Sequence, residues 1–77
     1  MARKPANSEA ATREDAAHLA RTLATNGFAF VDAHTIGMYS NAAIAACIND
    51  HLPNAYVDPK ANRTTLRAAL AAFAPIP

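Results

Sequence analysis

The stretch SNAAIAACINDHL, from Ser40 to Leu52, decides the fold. Ser40 is a helix-capping residue type, whose side-chain oxygen accepts from a backbone N–H that the helix itself leaves unpaired. Behind it, Ile44, Cys47, Ile48 and Leu52 recur at helical spacing. The other side holds Ala42, Ala43, Ala46 and Asn49, and no charge comes before Asp50. A helix from Asn41 to Leu52 is therefore apolar or small nearly all round. Such a helix belongs in the middle of a domain. Pro53-Asn54 ends it. The remaining segments have to cover it.

Upstream, the spacing predicts a helix from Glu9 to Thr25. Ser8 reads as its N-cap, and Glu9, Glu14 and Asp15 suit the positive end of the helix dipole. Thr12, Ala16, Leu19, Ala20 and Leu23 make its inner stripe; Arg13, Glu14, His18 and Arg21 lie elsewhere. Asn26-Gly27 stops it through a left-handed glycine, after which Phe28 folds back as an apolar lock. Downstream, Asp58 reads as an N-cap and Pro59 as the first residue of a third helix. Leu66, Ala69, Leu70 and Phe73 form that helix's core stripe.

Residues 28–39 have two readings. Phe28-Ala-Phe-Val31 is short and β-prone, and Thr35 to Tyr39 is a hairpin partner across Asp32-Ala33-His34. In the other reading, Asp32 caps one short helix that runs to Met38. The helix is favoured, because four residues make a weak strand and the rest of the chain is helical. The expected fold is mainly α: a small three-helix domain over residues 8–74, with a short irregular or β-like segment after the first helix. Residues 1–7, with Pro5 and no periodic pattern, read as a flexible arm, and residues 75–77 as a tail.

Composition narrows the function. Of 77 residues, 52% are hydrophobic, but 21 are alanine and only 19 are larger apolar residues. That is too little for two domains or a large catalytic cleft. One cysteine cannot form an internal disulfide, so a reducing compartment, the cytoplasm, is the default. The basic start has no apolar segment behind it, which argues against a secretory signal. No run of about 18 apolar residues exists to span a membrane. A net charge of +1 excludes both a strongly basic coat and an acidic DNA mimic. The distribution is uneven: between residues 32 and 58 the charges are Asp32, Asp50 and Asp58, and from residue 59 on they are Lys60, Arg63 and Arg67.

Cys47 and His51 stand one helical turn apart with Asp50 beside them, a spacing that can pair a thiol with an imidazole. Two ligands do not make a metal site, and His18 and His34 add no matching spacing. Gly27 and Gly37 stand alone, so there is no phosphate loop. Cys47 reads better as a small core residue. The expectation is a protein that is not an enzyme and needs no cofactor or metal.

Lys60, Arg63, Thr64 and Arg67 fall together on one face of the third helix. The stretch Asn62-Arg-Thr-Thr-Leu-Arg-Ala-Ala-Leu70 resembles the recognition helix of bacterial helix-turn-helix regulators, which often read Ser-Arg-Thr-Thr-Val-Arg. The resemblance covers nine residues and implies a helix laid in the DNA major groove. The connection from Pro53 to Asp58 is longer than the tight turn of that motif, so the family is not assigned. Three clustered cations make a monomer a weak DNA binder; a dimer would double the phosphate contacts. A second candidate surface is aromatic. Phe28, Phe30, Tyr39 and Tyr56 lie outside the three helices, and interfaces favour such side chains.

The sequence thus points to a binding function. The leading expectation is a small intracellular regulatory or inhibitory protein that docks on a larger protein or protein–nucleic acid machine, with the aromatics as anchors and the basic face on an acidic or phosphate-bearing surface. Its size class fits a phage or mobile-element protein. The alternative is a dimeric helix-turn-helix-like DNA-binding regulator; a homodimer is compatible with either.

Overall fold

The computed structural model describes residues 9–73. The expected arm and tail, and the cap expected at Ser8, lie outside them. Among the described residues the chain is mainly helical and has no strand. Helix α1 spans Glu9–Asn26, α2 Phe28–His34, α3 Asn41–His51 and α4 Arg63–Ala72, with a 3-10 turn at Ile36–Met38.

Helix α3 is central, as its uncharged sides require. Ala43, Ile44, Ala45, Cys47 and Ile48 are all buried. The Ser40 hydroxyl oxygen accepts from the Ala43 N–H at 3.1 Å, which fixes the first turn. Helix α1 lays Ala16, Leu19 and Leu23 against α3, the most extensive helix pairing in the molecule. Leu66 and Leu70 of α4 close another side. Each fully buried leucine or isoleucine contributes roughly 1.5–3 kcal/mol of transfer free energy.

The segment after Gly27 is helical, and no hairpin forms there. Two details differ from the sequence reading. Gly27 does take a positive φ of 86°, but its ψ of 166° is extended rather than left-handed helical. It turns the chain straight from α1 into α2: its N–H donates to Leu23 O at 2.8 Å, and its own carbonyl accepts from the Val31 N–H at 3.2 Å. Asp32 consequently sits inside α2 and caps nothing, because the helix starts at Phe28 and buries Val31. The chain re-forms as the 3-10 turn, where Ile36 is buried.

The start of α4 also moves. Asp58 and Pro59 were expected to open the helix; instead they make one isolated turn. Asp58 Oδ1 accepts from the Lys60 N–H and the Asp58 carbonyl from the Ala61 N–H, both at 2.8 Å. Aspartate followed by proline suits such a turn as well as a helix start. Asn62 is the working cap, its Oδ1 accepting from the Thr65 N–H at 2.9 Å. Lys60 therefore stands before the helix, not on it.

Two side chains guide the connection between α3 and α4 back past α3. Near the end of α3, Asn49 Nδ2 donates to Val57 O at 2.9 Å, and the Val57 N–H donates to Asn49 Oδ1 at 2.8 Å. One amide thus satisfies both backbone groups of a buried residue. Before the start of α3, Arg63 donates to Ile36 O and Tyr39 O, each at 3.1 Å.

Candidate functional site

The site is a groove between the start of α2 and the outer face of α4. Thr64, Arg67, Ala68 and Ala71 recur three and four apart, so they form one stripe along α4. Two alanines on that stripe leave a furrow instead of a ridge. Phe28, placed by the Gly27 turn and packed against the core, forms the facing side. The resulting space is shallow, open to solvent, mostly apolar, and holds about 230 Å³.

Arg67 sets the electrostatics. Its Nε and Nη2 donate to the two carboxylate oxygens of Asp32 on α2, both at 2.7 Å. This two-pronged geometry is the strong form of an arginine–carboxylate contact. The hydrogen bond from Arg67 is the main cause that holds the Asp32 carboxyl below its ordinary pKa, and the carboxylate in turn raises that of Arg67. The cation on the groove is thus already neutralised.

The structure brings together three of the residues singled out in the sequence, Phe28, Thr64 and Arg67, and separates the rest. Lys60 is exposed in the turn before α4. Arg63 is half-buried and turned onto the backbone of the 3-10 turn. The expected four-residue basic face does not form as a unit, because α4 begins at Arg63 and its two arginines are engaged within the molecule.

The aromatics divide likewise. Tyr39 is only 7% exposed, so it is a core residue and not a surface anchor. Its hydroxyl shares a hydrogen bond with His18 Nδ1 on α1, and burial is the main cause that raises its pKa. Tyr56, by contrast, is 76% exposed. Phe30 is exposed and stacks on His34 with ring centroids 4.6 Å apart.

Sequence reasoning missed three members of this surface. Ala68 and Ala71 carried a usable signal, since they continue the Thr64 stripe at helical spacing. Asp32 carried none, because its partner is 35 residues away. Met38, 77% exposed in the 3-10 turn, was also overlooked.

Cys47 and His51 do not form a reactive pair at the surface. Cys47 is buried, and burial pushes its thiol up to about 11, so it stays protonated at neutral pH; His51 is exposed. Among the described residues, no cluster of three or more His, Cys, Asp or Glu could hold a metal ion. Nor is any described helix long and apolar enough to cross a membrane. Compared with known protein families, curated proteins and solved structures, the chain matches none.

Proposed function

We propose that this chain is a small regulatory or inhibitory binding protein that docks on a larger protein through the α2–α4 groove. One observation carries the reading: α2 and α4, joined by a pair 35 residues apart in sequence, converge on an apolar groove whose arginine is paired with an internal carboxylate. Protein interfaces have cores poor in unpaired charge and rich in such apolar contact. DNA asks for the opposite, since each phosphate contact needs an available cation or amide. With Arg63 turned onto carbonyl oxygens, α4 brings a single cation, Arg67, to the groove, and one cation beside apolar side chains suits a protein partner better than a run of phosphates. The single cysteine favours a reducing location such as the cytoplasm.

Ala68→Arg tests this directly. The site is exposed, so the variant should fold like the parent while its long side chain fills the groove. Immobilised parent protein should retain a defined protein from a lysate of its source cells, after nuclease treatment and in high salt, and Ala68→Arg should not. Retention that disappears with nuclease or steeply with salt would favour the DNA-binding alternative. Sedimentation as a dimer by the parent, and as a monomer by Ala68→Arg, would assign the groove to a second copy.

A further inference from the structure

We infer that Asp32 is an internal stand-in for an acidic side chain of the docking partner, masking Arg67 until a partner segment with a carboxylate beside an apolar residue takes its place. The inference rests on the docking reading above. The structure itself displays a carboxylate bound at the edge of the groove, through both oxygens and two donors. The pair is open to exchange: the Arg67 side chain is 47% exposed and that of Asp32 29%. Exchange puts one carboxylate in place of another on the same arginine fork, so Arg67 keeps its pairing throughout. Yet Asp32 is tethered, which gives it a concentration advantage over any free carboxylate. An incoming acid therefore needs a second contact to compete, and Phe28, Ala68 and Ala71 offer an apolar one next to Arg67.

Phosphate fits an arginine fork as well as a carboxylate does. Here it is disfavoured by its neighbours. Released Asp32 stays close and repels a doubly charged group more than a singly charged one, and Arg63, one turn back, is held on the carbonyls of Ile36 and Tyr39.

The test is a magnetic-resonance titration of the labelled full chain. The probes are acetyl-Leu-Glu-Leu-amide, its Gln counterpart and inorganic phosphate, added to the parent, Asp32→Asn and Arg67→Gln. The Glu peptide should shift the Arg67 Nε–H and the amides of Ala68 and Ala71. It should bind Asp32→Asn about two- to fivefold more tightly than the parent. The Gln peptide should show no such gain, and Arg67→Gln should lose the preference for Glu. Remote amides unchanged in Asp32→Asn will show that the fold is kept. An equal gain for the Gln peptide, or none for the Glu peptide, overturns the exchange while leaving groove docking intact. Peptides that shift no groove amide overturn both. Phosphate bound by Asp32→Asn in preference to the Glu peptide overturns the choice of carboxylate.

Discussion

Arg63 and Arg67 stand one turn apart on α4, and the molecule uses them in opposite ways. Arg63 points toward the 3-10 turn and donates to two backbone carbonyls, so its charge is consumed in holding a connection closed. Arg67 points toward α2 and meets a carboxylate at the solvent edge of an open groove. Between them on the inner side lies Leu66, fully buried. The difference teaches where each group's free energy goes. A half-buried arginine on carbonyl oxygens is structural, because it satisfies backbone acceptors of two buried residues, Ile36 and Tyr39. An exposed arginine on a carboxylate can trade that partner for another acid, because solvent and solutes reach both groups. On the docking reading proposed above, stability and recognition sit on adjacent edges of one helix.

Three substitutions on α4 and its neighbours separate the two roles. Leu66→Ala sets the scale for the core beneath both arginines. It removes packing from a fully buried site and should cost roughly 2–5 kcal/mol in chemical denaturation. Arg63→Ala should cost less, about 1–3 kcal/mol, as Tyr39 O and Ile36 O lose a charged donor. A loss below that of an ordinary surface substitution would show that the two arginines are equivalent and erase the contrast. Arg63→Ala should also leave groove contacts intact, since Arg63 does not line the groove.

How much of this was readable beforehand follows from how local each cause is. Helix α3 was legible because its cap and its stripe lie within a dozen residues: Ser40 and Ile44 to Ile48 contain all the information. The start of α4 was not, because Asp58 and Asn62 are both good caps four residues apart, and both bind backbone N–H groups in the structure. Only the helix opened by Asn62 puts Arg63 where it reaches the 3-10 turn, a contact 27 residues distant. The same holds for the tyrosines. Tyr39 and Tyr56 both stand in connecting segments, and only the fold shows that Tyr39 is buried, with its hydroxyl on His18 of a remote helix, while Tyr56 is exposed. The groove was half legible: its residue types stood out, while the pairing of Arg67 with Asp32 had no sequence trace.

The smallest expected effect is the most telling for the second edge of α4. Asp32→Asn should barely move the denaturation midpoint at neutral pH, because both partners are solvent-accessible. Its pH dependence has a definite sign. The carboxyl is held below its ordinary value of 3.8, chiefly by the hydrogen bond from Arg67 and with Arg67's charge assisting, against a smaller opposing effect of burial. A depressed folded pKa means that the ionised form is favoured by folding. The stabilisation is present above 3.8 and disappears as pH falls through the lower folded value. Any stability gap between parent and Asp32→Asn should therefore narrow as acid is added below about pH 4, whereas the gap between parent and Arg63→Ala, which rests on carbonyl acceptors that do not titrate, should persist there. A gap at Asp32 that stays constant through the acid range would mean that Arg67 holds α2 by packing and not by charge.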